Sequence, residues 1–219
     1  MAATRFRATQ PRMDQSICGN ARQQGSGAVL GRRFAGAEVT LMPRLPDHIP
    51  TMYRWYDYPD FYQRLRAATY GRFFDHYRRQ AGADDSLLWS ILITGTDEPH
   101  GKRGNQECGP ELIGITSLFQ CRRSRESRDS YTFIIPEARG RGYAVQALEL
   151  RANYAFSAFS MDVLQTAVDQ DNGAIHHVLE KVGYRSTGRA YWQRREQDMY
   201  VLRRPWWEGK REQLSHTGE

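Results

Sequence analysis

Ile134-Ile-Pro-Glu-Ala-Arg-Gly-Arg-Gly-Tyr-Ala-Val-Gln-Ala-Leu148 decides how this chain is read. An apolar, β-branched run stops at Pro136, an Arg- and Gly-rich turn follows, and helix-forming residues take over near Tyr143, the punctuation of a strand, a turn and a helix start. Such a junction is an anion cradle. Gly140 and Gly142 let the backbone bend and approach a ligand closely, the first-turn amides point outward unpaired, and the helix dipole adds partial positive charge. Arg139 and Arg141 add guanidinium groups suited to phosphate oxygens, so a pyrophosphate matches this chemistry. Two common phosphate motifs do not match. No Gly-Lys-Ser or Gly-Lys-Thr opens the helix, and Val145 stands where GxGxxG needs its third glycine.

Working outward, the residues before the cradle read as strands over 37–43, 86–94, 111–119 and 130–135, apolar or alternating runs bounded by Pro43, Pro136 and polar stretches. Residues 47–80 are helical in character, with Phe61, Leu65, Ala68, Phe73 and Tyr77 spaced for a buried face and a split near Tyr58-Pro59. After the cradle, a helix over 142–159 carries Ala144, Leu148, Ala152, Ala155 and Phe159 on one face. A strand over 163–168 and a helix over 172–181, ended by Gly183, follow, and strands over 184–191 and 198–202 close the fold. The order describes one mixed α/β domain at 36–207 with no internal repeat. It is preceded by a basic flexible tail, 1–35, and followed by a loose polar tail, 208–219.

The 219 residues are 40% hydrophobic and 26% charged, enough for a packed core, and no window is apolar enough to span a membrane. Together with the lack of a secretory leader, this predicts a soluble cytoplasmic protein with no membrane partner. Cys18, Cys108 and Cys121 are too scattered for a disulfide framework or a metal site, so they read as reduced thiols and no metal is expected. The net charge of +6 invites a nucleic-acid reading, but its distribution is uneven. Six arginines against the single acid Asp14 place +5 of it in residues 1–35. Within the domain the dense basic patch is Arg122, Arg123, Arg125 and Arg128, just before the 130–135 strand.

With the P-loop and the dinucleotide fingerprint set aside, the cradle resembles the acyl-CoA motif of the GNAT N-acetyltransferases, (Gln/Arg)-x-x-Gly-x-(Gly/Ala), through Arg139, Gly142 and Ala144. Asn172-Gly-Ala-Ile-His-His-Val178-Leu-Glu-Lys181-Val-Gly183-Tyr184 is similar to the Asn-x-x-(Ser/Ala)-x-x-Val-Leu-Glu-Lys-x-Gly-Phe segment of one GNAT branch. That branch acetylates ribosomal-protein N-termini and small amines. Phe34–Pro43 followed by Met52–Tyr56 looks like its opening strand and helix, so the likeness runs over about the whole domain. It implies a GNAT fold: a mixed, mostly antiparallel sheet splayed between its fourth and fifth strands, with helices on both faces and acyl-CoA in the cleft.

The resemblance further implies that main-chain groups of Phe133, Ile134 and Ile135 pair with the pantetheine arm, as an added strand does. Arg139, Gly140, Arg141, Gly142, Tyr143 and Ala144 would take the pyrophosphate, and the amide near Ile135 is an oxyanion donor. Asn172 either holds the pantetheine or simply caps the next helix. Asp129 stands where related enzymes carry an acidic base, although it also reads as a counter-charge to Arg125 and Arg128. The chain departs from the family in its acid: Leu179 replaces a usual tyrosine and Ile175 a usual serine. His176 and His177 lie beside these positions as titratable candidates or as surface histidines, and on a helix only one of them can face the cleft.

The implied activity is acetyl transfer from acetyl-CoA to a primary amine, either a small metabolite or a peptide N-terminus, by a monomer or homodimer. A GNAT-like aminoacyltransferase drawing its acyl group from aminoacyl-tRNA is the alternative, with Arg122, Arg123, Arg125 and Arg128 as the tRNA contact. A non-catalytic CoA-binding or ribosome-associated role is the third.

Overall fold

The computed structural model describes residues 38–61, 70–81, 86–93, 110–119, 125–127, 129–192 and 195–216. Alternating apolar runs build two four-stranded sheets. The first holds β1 (Val39–Pro43), β2 (Leu87–Ile93), β3 (Glu111–Phe119) and β5 (Asp129–Ile134), in that spatial order and antiparallel throughout. The second has the order β4 (Glu126–Ser127), β6 (Val163–Val168), β8 (Arg195–Arg203), β7 (Arg185–Trp192), with only β4 and β6 parallel. One stretch of chain therefore begins in the second sheet as β4 and ends in the first as β5. Buried Ser127 sits at the crossing, its hydroxyl 3.1 Å from both Phe119 O and Asp129 O. The expected splay is thus present, between β5 and β6 once the two-residue β4 is counted.

A β-bulge sets the faces of the first sheet. Ile91 pairs with Gly114 but Leu92 pairs with Leu112, which leaves Ile113 as the extra residue. Alternation along β3 changes sense there, so Ile113 and Leu118 share one core with Ile91, whereas Leu112 and Ile115 face the other. Helices cover both faces. On the first lies α3 (Tyr143–Ser157), whose Ala147, Leu148, Ala152 and Ala155 also meet Leu164 and Leu202 of the second sheet. On the second lie α1 (Ile49–Arg54) and α2 (Tyr70–Ala81), bringing Met52, Trp55, Phe73 and Tyr77 onto Ile115 and Phe133.

The helical segment breaks where proline demands it. Tyr58, before Pro59, is extended with ψ 128°, closing the 3-10 turn Trp55–Asp57 that follows α1. Helix α4 (Gly173–Val182) ends on Gly183 at φ 108°, and its terminal carbonyl at Leu179 accepts from Gly183 N and Tyr184 N in a left-handed cap. The closing segment differs from expectation. In place of a loose polar tail from Glu208, α5 (Arg204–His216) continues the fold, with Pro205 in its first turn and Trp207 only 5% exposed. Lys210 donates to Lys181 O, and Arg211 donates to Asn153 Oδ1 at 2.7 Å. Residues 1–35 and the three cysteines lie outside the described residues. Among the described residues no helix is long and apolar enough to cross a membrane, and no group of three His, Cys, Asp or Glu side chains converges as a metal site.

Candidate active site

The cradle is open. A 3-10 turn, Pro136–Ala138, leads through extended Arg139 to Gly140 (φ 77°) and Gly142 (φ 80°), a left-handed geometry that only glycine adopts without strain. Among the described residues, a Cβ built on either glycine would meet nothing within 4 Å, so the turn itself leaves room beside these positions. Gly142 caps α3 with no side-chain partner, and the first helical bond is Gln146 N to Gly142 O at 3.2 Å. The amides of Tyr143, Ala144 and Val145 therefore face outward, as an anion site requires.

The two arginines of the turn part company. Arg139 folds inward: its Nε donates to Ile134 O at 2.8 Å, its Nη2 meets Asp60 Oδ2 at 2.6 Å, and its guanidinium lies over the Phe133 ring. Two of its donors are thus engaged by the strand end and by Asp60, while the side chain stays 44% exposed beside the turn. Arg141 is exposed. Beside this latch Tyr58 donates its hydroxyl to Glu137 Oε1 at 2.8 Å, a bond to a carboxylate that raises the phenol pKa. Tyr58, Asp60 and Glu137 escaped the sequence reading; the signal available was Tyr58-Pro59, which sets where the helix ends and the chain returns.

On β5 the expected pairing groups are redistributed. Ile135 N donates to Ile113 O at 2.9 Å, so that amide is unavailable as an oxyanion donor. An antiparallel ladder alternates, hence Phe133 and Ile135 turn their main-chain groups to β3, while Thr132 and Ile134 turn theirs to the splayed side. Ile134 O is already taken by Arg139, which leaves Ile134 N and both groups of Thr132 for a ligand. Gly114 makes this close pairing possible: a Cβ there would lie 2.3 Å from Phe133 O.

Asp129 opens β5 on the face it shares with Tyr131 and Phe133, half-buried, and its Oδ1 accepts from Ser130 N at 2.8 Å. Thr132 is three residues further on, roughly 10 Å along the strand. Asn172 acts as the N-cap of α4, accepting from Ile175 N at 3.4 Å. His176 turns toward β8, not the splay: Tyr200 Oη lies 2.9 Å from Nδ1, and Asp169 O lies 3.2 Å from Nε2. A carbonyl only accepts, so Nε2 carries a proton. His177 is exposed on α4. Of the basic patch only Arg125 is described, and it is structural: its carbonyl accepts from Asp162 N at 2.7 Å and its guanidinium binds Ser160 O and Asp162. Arg122, Arg123 and Arg128 lie outside the described residues.

Residues 38–185 match the family model described as an acetyltransferase (GNAT) domain, which is most of the chain. The chain belongs to this family. It is 28% identical over 82 residues to the spermidine N(1)-acetyltransferase of Escherichia coli K12, a match over 37% of this chain and 44% of that protein, so less than half the relative's length is aligned. Its fold is similar to that of the Vibrio cholerae spermidine N-acetyltransferase solved with CoA and spermine, with TM-score 0.63 and 14% identity over 78% of this chain and 98% of that one. It is also similar to Mycobacterium smegmatis RimJ solved with CoA-disulfide, with TM-score 0.59 and 16% identity over 76% and 82% of the two chains.

Proposed function

We propose that this protein transfers an acetyl group from acetyl-CoA to the primary amine of a small molecule. The observation that carries the proposal is the open glycine cradle at 140–142 joined to a strand whose Thr132 and Ile134 amides turn into the splay. In this reading Arg141 and the outward amides of Tyr143 and Ala144 hold the pyrophosphate, and Ile134 N bonds the pantetheine arm. That arm is several residues long when extended, so the thioester carbonyl reaches the level of Thr132, whose amide takes the role first assigned near Ile135. The amine attacks that carbonyl directly, its proton passes through water to Asp129, the C–S bond breaks, and the thiolate takes a proton from solvent. A thiol is a fair leaving group near neutral pH, which accommodates Leu179 and Ile175 at the family's acid positions.

The acceptor approaches from the α1 face, where Trp55 and Tyr58 stand near Phe133 with ring centroids 5.8 and 6.1 Å away. The half-buried Tyr58 ring beside the acidic Glu137 suits an alkylammonium. The name of the Escherichia coli relative makes spermidine the first acceptor to assay. Mass spectrometry of spermidine and of a peptide with a free N-terminus, each incubated with enzyme and acetyl-CoA, is expected to show mono-acetylated spermidine. Acetylated peptide alone would favour the ribosomal-protein branch, and CoA binding without transfer to any amine would leave a binding protein. Asp129→Asn is expected to lower kcat by about 10² with acetyl-CoA affinity unchanged; wild-type kcat would assign the proton to solvent.

A further inference from the structure

Arg151 on α3 is fully buried, with 0% exposure. A guanidinium side chain is a cation. Its partners are all neutral. Nη1 donates to Thr116 Oγ1 at 3.1 Å, to Thr132 Oγ1 at 3.2 Å and, more loosely, to Ser117 O at 3.4 Å. Nη2 donates to Tyr184 Oη at 3.2 Å, and Nε has no partner. Among the described residues no carboxylate pairs with it. An uncompensated buried charge is costly, and an apolar side chain of similar length would satisfy the packing better.

Its placement supplies a reason for keeping it. Thr116 and Thr132 are cross-strand neighbours in the first sheet, whereas Tyr184 leads from α4 into β7 of the second. One rigid fork therefore ties the two half-sheets beneath the splay, and it grips the side chain of the residue whose amide faces the cleft.

We infer that Arg151 is a positioning residue that holds Thr132, through its hydroxyl and against Tyr184 of the other half-sheet, so that the Thr132 amide meets the thioester carbonyl. The unpaired positive charge adds to the stabilisation of the developing oxyanion. This inference rests on the acetyl-transfer reading above.

The test uses the full chain with two probes. Adenosine 3′,5′-diphosphate reaches only the cradle, whereas acetyl-CoA reaches Thr132. Arg151→Met is expected to retain the wild-type melting temperature or exceed it, to bind the diphosphate as the wild type does, and to lower kcat at least about tenfold. A folded variant with wild-type kcat, or one that loses diphosphate binding in parallel, would overturn the inference, since the second result is what general loosening produces. Should Arg151→Met fail to fold, Tyr184→Phe and Thr132→Val each delete one hydroxyl with little change of volume. Both are expected to reduce kcat, and the double variant to lose less than the product of the two losses, because they act through one guanidinium. Independent, multiplying effects would overturn it. A wild type with no transfer from acetyl-CoA would overturn the functional reading and the inference with it, whereas an active wild type matched by active variants overturns the inference alone.

Discussion

His48 is a residue whose charge the fold resists. Its Nδ1 lies 2.7 Å from the Oγ of fully buried Ser90 and accepts from Leu45 N at 3.3 Å, so the ring is bound as the neutral base with its proton on Nε2. Burial lowers its pKa below 6.5, Asp47 pulls the other way, and Arg44 lowers it further. His76 is lowered too, by burial first and then by Arg79 and Arg44. A base with a depressed folded pKa takes up its proton more readily when unfolded. Stability is therefore fully present above pH 6.5 and declines as pH falls through 6.5 toward the folded pKa. Melting curves at pH 7.5 and 5.5 are expected to show that decline, and His48→Asn, whose oxygen can replace Nδ1 as acceptor, is expected to shrink it. An identical pH response in the variant would remove His48 as its source. The caps at Asn172 and Gly183 were legible because they are local, but these side-chain contacts were not: the partner of His48 is 42 residues away, and those of Arg139 and Tyr58 are 79.

At the scale of elements, two glycines of the candidate site answer the same substitution in opposite ways. Gly114 sits beside the bulge with no room for a methyl group, so Gly114→Ala forces β3 from β5 and is expected to cost about 2 kcal/mol or more. Gly142 has room but sits at φ 80°, so Gly142→Ala costs only about 1 kcal/mol of backbone strain while placing a methyl group in the pyrophosphate's approach. Thermal melts and CoA calorimetry on the pair are expected to separate stability from binding; a Gly142→Ala protein with wild-type CoA affinity would refute the cradle's role. The sequence displayed the turn at Gly142 because strand, turn and helix start are local and their punctuation is unambiguous. It hid the Gly114 constraint, since a bulge shows only when a partner strand is in register. The polar residues of α5 concealed a helix for a related reason: its hold on the fold comes from Trp207 and from the stems and tips of Lys210 and Arg211.

Across the whole molecule, charge separates the two possible acyl donors. Residues 1–35 carry +5 of the +6, and within the domain many described cations are already matched, Arg125 and Arg204 by Asp162, Arg189 by Asp198, Arg195 by Asp169. RNA binding through phosphates releases counterions and weakens steeply as salt rises, with a slope set by the number of phosphates neutralised. CoA presents few phosphates, and its contacts to Thr132 and Ile134 would be nearly indifferent to salt. A chain lacking residues 1–35 is therefore expected to lose the salt-sensitive RNA binding of the full chain and to keep acetyl transfer from acetyl-CoA. An aminoacyl-tRNA-dependent enzyme would do the reverse: it would hold tRNA in near-physiological salt without the tail, and lose that grip when Arg122, Arg123, Arg125 and Arg128 are changed to alanine together. Because Arg125 also binds Ser160 and Asp162 at the head of β6, the variant that tests the patch alone leaves Arg125 in place. Acyl transfer from aminoacyl-tRNA by the tail-deleted chain, with none from acetyl-CoA, would reassign the donor while leaving the cradle, the splay and the family membership as they are.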